Sequence, residues 1–348
     1  MSLVLDGVAK SYPEFELGPV DLDVGNEVLA VLGPSGCGKT TLLSVVAGVV
    51  TPDAGRVSLD GVELTGRPPE DRGTVLVFQD GALFPHLTAR ENVAYAADSP
   101  DRVAELADTL EIEDVLDQPA DTLSGGERQR VALARSLAAD PDVLLCDEPL
   151  ANLDAPIKRR LRRELRPLLS SLSIPVLYVT HDQREATALG DRLAVVENGR
   201  IHQVDSPEAV FARPATPFVA SFTGSTNLFR ADVVDTGAKT VLDWAGQAIR
   251  TPSTDHAVGT TVDFCIRPEY VGIADGAGAE NVVAGTVTSH VFEGDQHLLT
   301  VAPEGGTTDV VRVRLSPPVY DGLGRSTGDR VRLSLPPEAI HVIGERSG

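Results

Sequence analysis

The stretch Gly33-Pro34-Ser35-Gly36-Cys37-Gly38-Lys39-Thr40, followed by Thr41, limits what this chain can fold into more than any other. It fits G-x-x-x-x-G-K-[ST], a glycine loop whose backbone N–H groups turn inward around phosphate oxygens. The pattern has that meaning only between a strand and a helix, and both flanks are present. Val28 to Leu32 is an apolar run of strand length, and Lys39 to Ala47 has a helical pattern closed by Gly48. The helix N-terminus adds partial positive charge, so the loop is an anion site. Lys39 is expected to reach the β- and γ-phosphates of a nucleotide, and the Thr40 hydroxyl to ligate Mg²⁺. Cys37, beside the same helix N-terminus, is expected to have a lowered thiol pKa.

A chain of 348 residues, 42% of them hydrophobic, has room for about two domains with a core each. No apolar run approaches the roughly 18 residues that span a bilayer. The opening Met1-Ser2-Leu3-Val4-Leu5-Asp6 lacks the basic region of a signal peptide, so any membrane role is expected to run through a partner chain. Cys37, Cys146 and Cys265 are far apart and form no C-x-x-C, which fits a reducing cytoplasm and argues against disulfides or a zinc site. The charge is lopsided. There are 51 acidic residues against 30 basic ones, a net −21, and the only lysines are Lys10, Lys39, Lys158 and Lys239. Such a surface repels nucleic acid phosphates. With no block of like charges it is a generally acidic solvated shell, of the kind that high ionic strength screens.

Leu3-Val4-Leu5 and Val20 to Val24 alternate in part, as half-buried strands do. Between them Tyr12 either offers its ring to an adenine base or serves as an ordinary turn aromatic. Thr51 to Gly55 is a turn signal, Arg56 to Leu59 a strand and Asp60-Gly61 a hairpin. Val75 to Phe78 is a buried strand ending on Gln79, which from a movable loop can reach a metal-bound water. From Thr88 to about Ala139 the pattern is helical, and Thr88 to Glu91 has capping-box spacing. Ser124-Gly125-Gly126 opens a helix with Val131, Ala134 and Ala138 on one face, a second anion site.

Val143 to Cys146 then ends in Asp147-Glu148, at the carboxyl end of a buried strand, where α/β sheets place their ligands. Asp147 is expected to hold Mg²⁺, and Glu148 to orient and deprotonate an attacking water. Ala155 to Ser170 is a basic helix with Leu161, Leu165, Leu168 and Leu169 spaced for burial. Pro175 to Val179 is a strand ending at Thr180-His181-Asp182, and Asn198-Gly199 marks a hairpin. Past Gly224 the helical spacing is lost. Short alternating runs such as Val331 to Leu335 predict a small β domain of one or two barrels.

Together these residues resemble the ATP-binding cassette (ABC) ATPases. Leu123-Ser124-Gly125-Gly126-Glu127-Arg128-Gln129-Arg130 is similar to that family's signature motif. The phosphate loop, Gln79, the signature, Asp147-Glu148, the loop Ala151-Asn152-Leu153-Asp154 and His181 follow the family's order over about the first 220 residues. The resemblance implies an α/β P-loop NTPase core at 1–222 with a helical subdomain at about 80–140. It also implies a head-to-tail homodimer that binds ATP and Mg²⁺. Each ATP would lie between the phosphate loop of one protomer and Ser124 and Gly126 of the other. Glu148 would be the general base, His181 would contact the γ-phosphate, Gln79 would couple the site to membrane partners, and Asp154 would link the two sites.

Residues 223–348 look like the transport-associated OB-type domain of binding-protein-dependent importers, through Ile266-Arg267-Pro268-Glu269. Leu83 to Thr88 is also similar to importer sequences. The implied function is ATP hydrolysis coupled to solute import, by a peripheral subunit on the cytoplasmic face of the membrane. Its partners would be integral membrane permease subunits and, indirectly, an extracytoplasmic solute-binding protein, with no nucleic acid. The ending from Arg312 to Val342, and Ser11 to Leu17, resemble molybdate/tungstate importers, which implies an oxyanion. Iron(III), polyamine and sugar importers share most other features. The alternative is a soluble ABC ATPase outside transport, but the second cassette, coiled-coil insertion and zinc cysteines of that class are absent from the sequence. The β domain either senses an intracellular ligand or packs the dimer.

Overall fold

In the computed structural model the chain begins with two strands, β1 (Leu3–Tyr12) and β2 (Phe15–Val24), longer than the alternation predicts. They close with Tyr12 opposite Phe15, and the register slips between Leu5 and Val8 and again between Val8 and Lys10. Each slip breaks the period-two pattern, which hides the middle of both strands in the sequence. The structure describes the whole chain except residues 79–81, 152, 275–279, 306 and 345–348.

β3 (Val28–Leu32) is buried throughout, and α1 (Lys39–Ala47) starts and stops where predicted, with Gly48 in the left-handed conformation behind it. β4 (Ala54–Leu59) begins inside the predicted turn, and Leu59 faces Val62 of β5 (Val62–Glu63) across the Asp60-Gly61 hairpin. β6 (Thr74–Val77) follows, then α2 (Ala89–Ala94), α3 (Pro100–Thr109) and α4 (Gly125–Ala138), the expected helical region. β7 (Val143–Asp147), α5 (Ala155–Ser171), β8 (Val176–Thr180), α6 (Gln183–Leu189), β9 (Arg192–Glu197) and β10 (Arg200–Asp205) complete the unit.

Six of these strands form one sheet in the order β10-β9-β3-β8-β7-β6, parallel except for β10 at the edge. A second, antiparallel sheet has the order β2-β1-β4-β5. Alternate residues of the central strands go to opposite cores. Leu29, Val31, Leu145 and Leu177 pack with α1 and the antiparallel sheet, whereas Leu144, Cys146, Val176 and Tyr178 pack with α4 and α5. Burial on both faces is what makes these runs continuously apolar. Because β8 lies between β3 and β7, the loops leaving the carboxyl ends of all three emerge side by side.

The second unit holds α7 (Pro207–Ala212), α8 (Pro217–Phe222), β11 (Asn227–Asp235), β12 (Lys239–Trp244), β13 (Gln247–Pro252) and β14 (Thr261–Ile266). It continues with β15 (Gly272–Ile273), β16 (Val282–Phe292), β17 (His297–Pro303) and β18 (Val311–Leu315). α9 (Pro317–Leu323), β19 (Arg330–Ser334) and β20 (His341–Ile343) end it. Two five-stranded sheets, β13-β12-β11-β14-β20 and β15-β19-β16-β17-β18, share one core. Phe229, Trp244 and Phe264 enter that core from the first sheet, Val283, Val301 and Leu333 from the second. The compact units divide at Pro207/Glu208, ahead of the expected 222/223. The reason is α8, whose Ala220 is buried with Cys265 and Ile343 of the β unit.

Candidate active site

The loop between β3 and α1 is shaped by what presses on it. A Cβ at Gly38, which has φ 102°, would lie 2.5 Å from the ring of Phe15 at the start of β2. Gly33 is closed off in the same way by the Val196 carbonyl and the Cys37 sulfur. The turn between β9 and β10 pins the loop from a third side, since Gly199 N donates to the Cys37 carbonyl at 3.0 Å and Gly18 N donates to Gly199 O at 2.7 Å. Gly38 is also the N-cap of α1 and offers no side-chain acceptor, so the first-turn amides of α1 have no cap of that kind. Ser35 and Gly36 are exposed and Pro34 is half-buried. An anion approaching here meets the positive end of a helix.

Lys39 is 5% exposed, and its ammonium donates to the Gly33 and Pro34 carbonyls, each at 2.9 Å. Glu148 Oε1 stands 4.0 Å from the same nitrogen. The Thr40 hydroxyl donates to Asp147 Oδ1 at 3.3 Å, while Thr41 is half-buried beside it in the chain. Burial raises the Asp147 carboxyl above its ordinary value, Thr40 pulls it back, Glu148 adds to the rise and Lys39 opposes it. Glu148 itself sits at φ 45°, a left-handed conformation that strains a residue with a Cβ. Its amide donates to Val179 O of β8 at 3.0 Å, and its Oε2 lies 2.8 Å from His181 Nδ1. An ionised carboxylate only accepts, so Nδ1 carries the proton in this bond.

Lys39, Thr40, Asp147, Glu148 and His181 are thus brought together. The signature is placed elsewhere. Ser124 caps α4 in a reciprocal box with Glu127, whose side chain accepts from Ser124 N at 2.7 Å. A Cβ on Gly125 would meet Leu153, and one on Gly126 would meet Ile157. Among the described residues, no hydrogen bond or ion pair joins Ser124, Gly125 or Gly126 to the phosphate loop. Asp154 is the exposed N-cap residue of α5 and makes no side-chain capping bond. Tyr12 is 43% exposed, 6.5 Å from the Phe15 ring and 5.9 Å from Lys10 Nζ, and so is next to the loop only through Phe15. Gln79 lies outside the described residues, as does Asn152.

One expectation is corrected. Cys37 is 3% exposed, and burial pushes its thiol up by more than the Lys39 charge and the backbone bonds bring it down. Phe15 is the neighbour of the loop that sequence reasoning missed, because nothing in a strand-end aromatic tells which glycine it will face.

Among the described residues, no three His, Cys, Asp or Glu side chains converge as a metal cage. Thr40 and Asp147 nevertheless offer adjacent hard oxygens beside the phosphate loop. That suits Mg²⁺, which takes one or two protein ligands and fills its shell with phosphate oxygens and water. Among the same residues no helix is long and apolar enough to cross a membrane.

Residues 18–151 match the family described as ABC transporter, and residues 264–343 match the TOBE domain. The chain is 38% identical to the spermidine/putrescine import ATP-binding protein PotA of Ruegeria pomeroyi, over 95% of this chain and 92% of that one. It is 40% identical to the sulfate/thiosulfate import ATP-binding protein CysA of Methylococcus capsulatus, over 81% and 84%. Among solved structures it is similar to cbiO1 of Clostridium perfringens, part of the ABC transporter complex cbiONQ. There the TM-score is 0.55 at 28% identity, covering 60% of this chain and 90% of that one.

Proposed function

This chain belongs to the ABC transporter family, among the ATPase subunits of import systems, and on that premise we propose how its residues divide the work. The observation that carries the reading is the position of Glu148. Its strained backbone holds the carboxylate between the Lys39 ammonium and the His181 imidazole, at 4.0 and 2.8 Å, beside the phosphate loop. ATP is the substrate. The loop amides and Lys39 bind its β- and γ-phosphates, and Glu148 accepts the proton of the attacking water. His181 Nδ1–H orients that carboxylate. For Nε2 to donate to a γ-phosphate oxygen as well, the ring must hold a second proton. Thr40 and Asp147 would hold Mg²⁺, which neutralises phosphate charge when bound. Gln79 would report on the site to the membrane partners.

Ser124 is exposed at the start of α4 and, among the described residues, makes no hydrogen bond to the phosphate loop of its own chain, which supports a homodimer in which it closes over the partner's ATP. Asp154, at the exposed start of α5, would join the two sites. The import role places the subunit on the cytoplasmic face of the membrane, held by permease subunits and served by an extracytoplasmic solute-binding protein. For the solute, one relative is named for polyamine cations and the other for a tetrahedral oxyanion. The carboxyl-terminal residues favour an oxyanion, molybdate or tungstate, over iron(III), polyamine or sugar.

Glu148→Gln keeps shape and removes the base. Steady-state hydrolysis should fall about 10²–10⁴-fold with nucleotide affinity retained. A Gln variant with wild-type turnover overturns the assignment. Radiolabelled molybdate and tungstate uptake in a deletion strain tests the solute, and unchanged uptake of both moves it to another class.

A further inference from the structure

His181 stands on a polar layer that the hydrolytic groups leave unused. Glu185, in the first turn of α6, is 1% exposed. Its Oε2 accepts from the Thr180 hydroxyl at 2.8 Å and from the Tyr178 hydroxyl at 3.4 Å, so it grips the end of β8 directly ahead of His181. Its Oε1 is buried with no hydrogen-bond partner among the described residues, and the Lys158 ammonium of α5 stops 3.8 Å away. One turn further along α5 the situation repeats with donor and acceptor exchanged. Among the described residues Arg162 Nη1 is buried with no hydrogen-bond partner and stops 3.9 Å from Asp182 Oδ1. Asp182 in turn caps α6 by accepting from the Arg184 and Glu185 amides, and its own amide donates to Thr180 Oγ1.

Lys158 and Arg162 share one face of α5. Both of their pairs cross the same helix–helix contact, both are just beyond hydrogen-bond reach, and each leaves a buried polar atom unmatched. Unmatched buried groups are costly, and charge-assisted bonds close at about 2.7–2.9 Å. A shift of α5 toward α6 by about 1 Å would complete both, which is the size of helix movement that switching transitions use. Burial raises the Glu185 carboxyl. Thr180, Lys158 and Arg162 counter that rise and Asp182 adds to it.

We propose that Lys158 and Glu185 are a positioning pair of a two-position clamp between α5 and α6, which sets His181 and Asp154 together. Asp154 is the N-cap of α5, and α6 starts beside His181, so tightening the clamp moves the proposed dimer link and the γ-phosphate contact together. The clamp rests on the reading of His181 as part of the hydrolytic site.

The test uses the full-length chain with Glu185→Gln, Lys158→Met, the double variant, Lys158→Arg and His181→Ala. Each single change should lower kcat roughly tenfold with KM for ATP within about twofold of wild type. The double variant should lose no more than the worse single, and Lys158→Arg should recover most of the rate. A purely structural role would lower thermal midpoints without this coupled, kcat-only pattern. Wild-type kcat in both singles, or losses that multiply in the double, overturns the clamp while leaving the site reading intact. Unchanged turnover in His181→Ala overturns the site reading and the clamp with it.

Discussion

The backbone strain at Glu148 holds its carboxylate between the Lys39 ammonium and the His181 imidazole. A residue with a Cβ at φ 45° costs on the order of 1 kcal/mol, and the turn persists because the Glu148 amide is tied to Val179 of β8. Glu148→Gly should therefore raise unfolding stability by about 1 kcal/mol while abolishing hydrolysis, measured by urea denaturation alongside ATPase assays. A less stable glycine variant would mean that the carboxylate's bond to His181 outweighs the strain. Asp147 carries the opposite kind of cost. Its folded-state pKa is raised, chiefly by burial, so ionising it destabilises the chain and that penalty fades as pH falls through the raised value. Its ionised form is accordingly lost on acidification at a higher pH than that of an ordinary aspartate. Cys37 follows from the same competition, with burial outweighing the lysine charge. In the folded chain it should react with thiol reagents at least about tenfold more slowly than in the urea-unfolded chain. Equal rates would show that the loop opens freely.

Elements are held at their ends by residues that no local pattern announces. Arg72 is 3% exposed, and its guanidinium donates to the Val45 and Val46 carbonyls at the end of α1, at 2.8 and 2.9 Å, and to Arg67 O at 2.9 Å. It closes the helix that carries Lys39 and Thr40. Arg72→Ala strips a charged donor from buried carbonyls and should cost about 3 kcal/mol by denaturant melts. A loss below about 0.5 kcal/mol would show that those carbonyls find other donors. The sequence shows only an arginine before a strand. By contrast, the loop at 33–41, the acids at 147–148 and His181 were legible because each directly follows an apolar run of strand length. Strand order then does the rest, by setting β8 between β3 and β7. Phe15 against Gly38, Arg72 against α1 and Lys158 against Glu185 each join residues more than 20 apart, and only the tertiary fold pairs them. α9 was missed for a different reason. At seven residues it is too short to establish a helical period.

At the scale of the whole molecule, charge and assembly pull against each other. Each copy carries a formal −21, and the dimer proposed for hydrolysis brings two such copies face to face. Like-charged surfaces repel over the Debye length, which shrinks from about 10 Å at 0.1 M salt to about 3 Å at 1 M. Contacts made through bound nucleotide and apolar surface survive that screening, whereas an interface built on opposite charges is weakened by it. On the proposed role of Glu148, Glu148→Gln should hold ATP uncleaved, so in Mg-ATP it should populate the dimer, and in ADP it should remain a monomer. Raising KCl from 0.1 to 1 M should increase the dimer fraction in ATP and leave the ADP sample unchanged. Adding Ser124→Arg to the same background places a bulky cation at the start of α4 and should keep the chain monomeric at both salt concentrations. Light scattering or sizing chromatography reads every one of these samples. A dimer that dissociates as salt rises would assign the interface to charge complementarity rather than to a screened acidic shell. A monomer with ATP demonstrably bound would contradict the head-to-tail arrangement itself.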